Sequence, residues 1–372
     1  MRPSIIVIGG GTVGAAIAYG LARRNEAVLL LDGDDGDFRA ARANFGLVWL
    51  QGKGLGMPEY QSLTRQSIAR WRAFCNELET ETGRTLSYQD DGGLAFCLGE
   101  QAYEDRRLAL MRLDNQRSDG DPAWEMLERA PLERLLGNVT LGPRVVGASY
   151  GRTDGHVNPL LLLAALHAGI QRLGGSIRHN ARVERIEPDG SGFRLKIAGE
   201  TLTVPRIVIA AGLGSQQLAQ QVGLQVPVRP QRGQVLVTER IEPLLRLPAS
   251  GLRQTDEGTI MIGATQENCG FDVSTTVEGA ATLCAKSVEI FPALASVKLV
   301  RHWAGLRVLT PDSYPVYAQS EAHPGAFVAL CHSGVTLAAY HADVLAEAVA
   351  QGALPAALSP FHQRRFDVSK AA

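Results

Sequence analysis

The sequence predicts an α/β fold in which one domain, built on a parallel sheet, is interrupted by insertions that form a second. Three observations predict it. A β-α-β unit occupies the first thirty-two residues, mixed strand and helix segments follow, and a strand-helix unit closes the chain. The 372 residues suffice for two or three structural units, and 45% hydrophobic with 20% charged residues is ordinary globular composition.

Ile5-Ile6-Val7-Ile8 is a continuous apolar run, as in a strand buried on both faces. Gly9-Gly10-Gly11 follows, and then Val13, Ile17 and Leu21 recur at helical spacing. Residues 27–31 predict a second buried strand that ends at Asp32. Residues 33–58, rich in Gly, Asp and Arg, read as loop with short elements. Residues 60–82 predict an amphipathic helix, with Leu63, Ser67, Trp71, Phe74 and Leu78 near a 3.6 period and Gly83 as its stop. Residues 93–98 predict a strand, and 101–136 a charged helical stretch broken at 118–122. Asn158 is a good cap for a helix opened by Pro159 and running to about Leu173. Residues 176–186 predict a strand, 193–198 and 200–204 a hairpin, and 207–210, 233–238, 259–263 and 327–331 further strands. The Gly334 turn leads into a helix over about 335–349.

Composition excludes several classes. With 37 Lys+Arg against 38 Asp+Glu the net charge is −1, which gives no electrostatic case for nucleic acid, and 6% aromatics disfavour a base-stacking platform. Cys75, Cys97, Cys269, Cys284 and Cys331 have no metal or redox spacing, so reduced thiols are expected and no metal site. The longest wholly apolar run, residues 160–166, is far short of the ~20 residues that span a bilayer, so no transmembrane segment is expected. Nor does the N-terminus show a signal-peptide pattern.

The chemistry-bearing pattern is Gly9-x-Gly11-x-x-Gly14 between a strand and a helix, with Asp32 eighteen residues after Gly14. Gly9 permits the tight turn, Gly11 lets a pyrophosphate approach the backbone, and Gly14 lets helix and sheet pack closely. The helix N-terminus offers unpaired N–H groups to the phosphates. Asp32 can accept from both ribose hydroxyls of an adenosine. Dinucleotide binding follows, without separating FAD from NAD.

Further motifs make that separation: Asp154-Gly155-His156-Val157-Asn158-Pro159, Ala181-Arg182-Val183, Ala210-Ala211-Gly212, Gly233-Gln234, Gly305-Leu306-Arg307 with Thr310-Pro311-Asp312, and Cys331-His332-Ser333-Gly334-Val335-Thr336-Leu337. In this order they resemble the D-amino-acid-oxidase-like family of FAD-dependent oxidoreductases, which includes glycine and sarcosine oxidases. Arg42-Ala43-Asn44-Phe45-Gly46-Leu47-Val48-Trp49 and Gln51-Gly52-Lys53-Gly54 resemble a narrower group, the FAD-carrying β or B subunits of complexes acting on D-hydroxyproline or on opines such as octopine and nopaline.

The resemblance implies a glutathione-reductase-like Rossmann domain for FAD, interrupted by an antiparallel-sheet plus helix substrate domain. Residues 1–88, 145–225 and 303–372 would form the first and 89–144 with 226–302 the second. It implies FAD held by Gly9, Gly11, Thr12, Val13, Gly14 and Asp32, by Ala43, Asn44, Phe45, Gly46 and Leu47 along the chain, and by Val183 at the adenine. Ala211, Gly212, Ser333, Gly334, Val335 and Thr336 would lie against the pyrophosphate and the redox ring. Arg307 would clamp a substrate carboxylate, since a guanidinium fork binds one bidentately. Gln51, Lys53 and His332 are further site candidates; Lys53 also reads as a solvated lysine, the commoner fate of that residue type, and His332 as a core histidine.

The implied reaction is dehydrogenation of a secondary-amine amino acid, D-hydroxyproline-like, D-proline-like or opine, with hydride passing from Cα to flavin N5. Reduced cofactor would pass electrons to partner subunits carrying further redox groups. The implied setting is the cytoplasm, free or held at the inner membrane through those partners. The alternatives are a stand-alone oxidase of the glycine or sarcosine oxidase type using O2, an NAD-linked dehydrogenase, and a non-catalytic FAD-carrying scaffold subunit.

Overall fold

The computed structural model describes residues 2–33, 40–117, 120–137, 139–190 and 192–367. Its centre is a six-stranded sheet in the order Val316–Gln319, Ala326–Leu330, Arg206–Ile209, Ile5–Ile8, Val28–Leu31 and Ser176–Arg178. Neighbours are parallel except at the antiparallel edge strand Val316–Gln319. Residues from both ends of the chain therefore complete one sheet, which is the interrupted α/β arrangement that the element order predicts.

The apolar run at residues 5–8 has a direct cause. Ile5 and Val7 enter one core with Ile17 and Leu21 of the helix Thr12–Arg23, while Ile6 and Ile8 enter another with Ile186, Phe193 and Leu195 of a three-stranded meander. A strand covered on both faces has no solvent side and needs no polar alternation. Beside it, Pro159–Arg172 packs on Thr12–Arg23, its start fixed by Asn158 Oδ1 accepting the Leu160 and Leu161 N–H groups at 3.1 and 3.3 Å. Such a cap is worth about 1 kcal/mol.

Besides the meander and a two-stranded pair of Leu47–Val48 with Gly155–His156, two larger antiparallel sheets remain. Gly93–Leu98, Val145–Gly151 and Trp124–Glu128 form one; Leu252–Gln254, Thr259–Gly263, Arg229–Arg240 and Leu299–Leu309 form the other. A bridge between Leu94 and Ala249 joins them. Their shared core holds Leu132, Leu136, Leu283 and Ile290 from the helices Arg129–Leu136 and Val277–Ile290. Val145–Gly151 lies in the range 145–225 yet pairs with strands from 89–144, and Leu299–Leu309 runs across position 303.

Three segments differ from the sequence-based reading. The helical stretch expected over 101–136 contains the strand Trp124–Glu128, which pairs edge-on with Val145–Gly151; partner geometry overrides local propensity there. Residues 118 and 119 of the expected break, like 34–39 of the expected loop, lie outside the described residues. The strand expected over 176–186 is two, Ser176–Arg178 and Arg185–Asp189, because the chain turns around Asp32, whose carbonyl accepts the Ala181 N–H at 2.7 Å. The final helical run begins at Ala338 rather than 335 and carries a π turn over His341–Leu345. The preceding residues are held in a turn by the bonds of Thr336 described below.

Candidate functional site

Gly9 has φ +111, and a Cβ on it would stand 2.4 Å from the Ala210 carbonyl oxygen. A Cβ on Gly14 would stand 2.0 Å from the Gly9 oxygen. Gly11 is different. Its φ is −72, and a Cβ there would meet only Ala41 Cβ at 3.8 Å. Its missing side chain therefore leaves room in front of the helix N-terminus and satisfies no packing need. Gly11 caps that helix without a side-chain bond, so first-turn N–H groups and the positive dipole end face outward. Thr12 Oγ1 is buried with no partner among the described residues. A hydroxyl stranded in this way costs about 1–3 kcal/mol, which a bound phosphate oxygen would recover. The cradle fits a pyrophosphate.

Asp32 follows the strand Val28–Leu31. Its Oδ1 accepts the Gly10 N–H at 3.1 Å, and Oδ2 lies 4.0 Å from His179 Nδ1. Gly10 thus fixes the acid, a role that the fingerprint spacing alone does not disclose. Val183 is buried in the same loop that Ala181 ties to Asp32. Ala211 lies at the fingerprint turn, its Cα 2.8 Å from a Cβ built on Gly9, and Gly212 lies beside Val308.

A cavity of 1340 Å³ lies beyond this cradle. Pockets for one small ligand are roughly 300–1,000 Å³, so there is room for more than one molecule. Of the sequence candidates, Ala43, Asn44, Phe45, Leu47, Gln51, Lys53, Arg307, His332, Ser333, Val335 and Thr336 line it. The turn after Ala326–Leu330 connects cradle to cavity: a Cβ on Gly334 would stand 3.2 Å from Val13 Cγ2. Thr336 locks that turn. Its hydroxyl donates to the Leu47 oxygen and accepts the Trp49 N–H, both at 3.2 Å. Its carbonyl accepts Ser67 Oγ at 2.7 Å and Trp71 Nε1 at 2.8 Å. Gly46, between Asn44 and Leu47, takes Asn44 Oδ1 on its N–H at 2.8 Å.

Arg307 reaches the cavity from Leu299–Leu309, in register opposite Gln231. A Cβ on Gly233 would stand 2.6 and 2.7 Å from its terminal nitrogens, so the guanidinium rests on that glycine. Nη1 donates to the Arg232 carbonyl at 3.2 Å. No ion pair involves Arg307 among the described residues, whereas the adjacent Arg232 is held by Glu267 and Asp272. Burial lowers the Arg307 pKa and Glu267 partly offsets this. A guanidinium stays charged regardless.

His332 is exposed to the cavity while lying deep among the protein atoms around that opening. Burial, reinforced by the Lys53 and Arg307 cations, pushes its imidazole down to about 3, so it is neutral at pH 7. Lys53 is half-buried. Its Nζ donates to Ser333 Oγ at 2.8 Å, and burial lowers its pKa. Tyr60 OH donates to the same oxygen at 2.8 Å.

Gln51 lines the cavity with its amide committed to the protein. Oε1 accepts Arg106 Nη2 at 2.7 Å and Ser149 Oγ at 2.6 Å, and Nε2 donates to the Gly93 oxygen at 3.1 Å. Asp154 sits beside it, taking the Leu50 N–H; burial pushes this carboxyl up to about 6. Tyr60 and Arg106 carry no sequence signal that marks them for this site, because their partners are distant in the chain.

Comparison with known proteins agrees with this geometry. The family model for FAD dependent oxidoreductases of the DAO type matches residues 4–348. The chain is 44% identical over 366 residues to the B subunit of opine oxidase from Agrobacterium tumefaciens (strain Ach5), covering 98% of each chain. It matches the protein of the same name from Rhizobium meliloti to the same extent. Among solved structures, glycine oxidase from Geobacillus kaustophilus aligns with a TM-score of 0.89 at 26% identity, covering 98% of this chain and 99% of that one. The glycine cradle, the acid after the second strand and the family match over nearly the whole length carry one conclusion: this chain belongs to the DAO family of FAD-dependent oxidoreductases, and FAD is its cofactor.

Proposed function

We propose that the chain is the FAD-carrying catalytic subunit of a dehydrogenase that oxidises the C–N bond of a secondary-amine amino acid, D-hydroxyproline-like, D-proline-like or opine. The observation that carries this reading is the seat of Arg307: a guanidinium without an ion pair among the described residues, braced by Gly233 and the Arg232 carbonyl, in the same cavity as the turn 331–336. A fork held in this way binds a carboxylate with two parallel hydrogen bonds and fixes the attached Cα–H.

Bound FAD supplies the two-electron acceptor for the hydride that leaves Cα. In this reading it is held by the Gly9–Gly14 cradle, by Asp32 and Val183 toward the adenosine, by residues 43–47 along the chain, and by Ala211, Gly212 and residues 333–336. The protein needs no strong base if the amine binds deprotonated. Neutral His332 can then accept a hydrogen bond from the amine N–H without adding a third positive charge beside Arg307 and Lys53. Partner subunits with further redox groups are proposed as electron acceptors, in line with the 44%-identical relatives, each of which is one subunit of an opine oxidase.

The full-length match to glycine oxidase favours one second reading, a self-sufficient oxidase. Reduction of the purified holoenzyme by a secondary-amine amino acid, followed by admission of air, separates the two. Slow reoxidation with little peroxide supports the dehydrogenase; rapid stoichiometric peroxide contradicts it.

A further inference from the structure

We propose that Glu267 is a positioning residue for the Arg307 fork, acting through the two residues that flank Gly233. This rests on the reading of Arg307 as the carboxylate anchor. It goes beyond that reading because Glu267 makes no hydrogen bond or ion pair with the fork among the described residues.

Strand alternation sets up the arrangement. Gln231, Gly233, Gly305 and Arg307 face the cavity. Arg232 and Gln234 point the other way and are 5% and 0% exposed. The guanidinium therefore lies over Gly233 with backbone as its support. Among the described residues its one hydrogen bond runs from Nη1 to the Arg232 carbonyl, at 3.2 Å. Where the fork points depends on where the 232–233 peptide is held.

Glu267 holds that peptide from behind. Its N–H donates to the same Arg232 carbonyl at 3.0 Å, and its own carbonyl accepts the Arg232 N–H at 2.9 Å. Its side chain spans both neighbours of Gly233. Oε2 accepts Arg232 Nε at 3.1 Å as well as Nη2, and Oε1 accepts Gln234 Nε2 at 2.7 Å. Thr265 adds a further strap, its hydroxyl donating to Oε1 and accepting the Gln234 N–H at 2.9 Å. The Gln234 amide is fixed at its other end, where Oε1 accepts the Thr276 N–H at 2.8 Å, so it cannot turn over to replace a lost partner. Four donors fill the lone pairs of the Glu267 carboxylate, which leaves it a brace and no acceptor for a substrate amine. Asp272 also pairs with Arg232, through Nη1, but among the described residues it bonds neither Gln234 nor the 232–233 peptide. A shift of about 1 Å in a positioned group can cost roughly a hundredfold in rate, so a brace of this kind matters to a fork seated on backbone.

The test reads binding on the holoenzyme, by flavin absorbance, with pyrrole-2-carboxylate and its uncharged carboxamide. Both are flat, proline-shaped and without an oxidisable amine. In the wild type the acid is expected to bind about tenfold more tightly than the amide, through the charged fork. Glu267→Gln, which loses an acceptor, and Glu267→Asp, which keeps the charge but shortens the reach, should each lower that ratio about fivefold with amide binding and FAD content unchanged. Asp272→Asn, which removes a carboxylate from the same arginine, should leave the ratio as in the wild type. A ratio preserved in Glu267→Gln overturns the proposal. So does one lost in Glu267→Gln but kept in Glu267→Asp, or lost equally in Asp272→Asn, since either would make the effect one of charge. Acid and amide weakening together, or loss of FAD from both Glu267 variants, would make Glu267 a residue of the fold alone and also overturns it. Failure of the underlying reading shows in the wild type instead, as no preference for the acid.

Discussion

The Arg307 guanidinium rests on Gly233: a Cβ at that glycine would come within 2.6 Å of Nη1 and 2.7 Å of Nη2. Strand pairing sets this up, because Gly233 faces Gly305 and Arg307 lies one alternation further along the same strand. In the proposed carboxylate anchor the absent side chain matters as much as the arginine itself.

Gly233→Ala should therefore fold and retain FAD, since the atoms displaced are the end of a flexible side chain, yet misplace the fork. We expect kcat/KM for the amino-acid substrate to fall about tenfold, or ~1.4 kcal/mol. Arg307→Ala should cost about 2–4 kcal/mol by the same measure. Steady-state kinetics on the two variants check this; equal activity of Gly233→Ala and wild type would detach Arg307 from the substrate.

The fingerprint glycines should separate by role. Gly11→Val meets little protein and has unstrained backbone, so the variant should be folded and colourless. Gly14→Val drives a side chain into the Gly9 backbone, where a Cβ alone would stand 2.0 Å from the oxygen, and should fail to fold stably. Circular dichroism and bound-flavin absorbance on both variants decide this. Stoichiometric FAD in Gly11→Val would overturn the placement of the pyrophosphate.

Much of this was open to sequence reading because it is local. Gly9, Gly14 and Asp32 sit within one β-α-β unit, and Asn158-Pro159 announces its own helix start. Other features are joined only by tertiary structure. Lys53 and Ser333 are 280 positions apart, and nothing in either neighbourhood signals the pairing. Gly147, Ala148 and Ser149 are too small to print an alternating pattern, so the strand Val145–Gly151 is silent in the sequence although it pairs on both edges. Gly233 reads as an ordinary strand glycine until its register against Gly305 and Arg307 is known.

Thr336 should be a stability residue as well as a site residue. Thr336→Val keeps the shape but strands the Trp49 N–H and the Leu47 carbonyl. Leaving such groups unsatisfied costs about 1–3 kcal/mol. Urea denaturation of the holoenzyme should show a loss in this range together with weaker FAD retention; unchanged stability would mean that the bridge contributes nothing.

Acid should destabilise the fold through its buried histidines. His341 is fully buried, bonded to Tyr317 OH at 2.7 Å, and burial pushes it down to about 3. Its folded value lies below the unfolded one, so the unfolded chain binds the extra proton between pH ~6.5 and the folded value. Stability is then lost as pH falls through that window, by up to about 1.4 kcal/mol per pH unit for one proton. His156 and His332, also pushed down, act in the same direction. His341→Gln should flatten the acid limb without abolishing it, as measured by urea midpoints between pH 7 and pH 5. An identical pH dependence in the variant would show that His341 is not neutral in the fold.

In the proposed function FAD and a carboxylate-anchored amine share the cavity between the glycine cradle and Arg307. The most direct test of this is anaerobic bleaching of the flavin by a secondary-amine amino acid, followed in the wild type and in Arg307→Ala. We predict full reduction of stoichiometric FAD in the first and reduction slowed at least thirtyfold, with FAD still bound, in the second. Identical bleaching rates in the two proteins, or a wild-type flavin that no such amine reduces, would contradict the account.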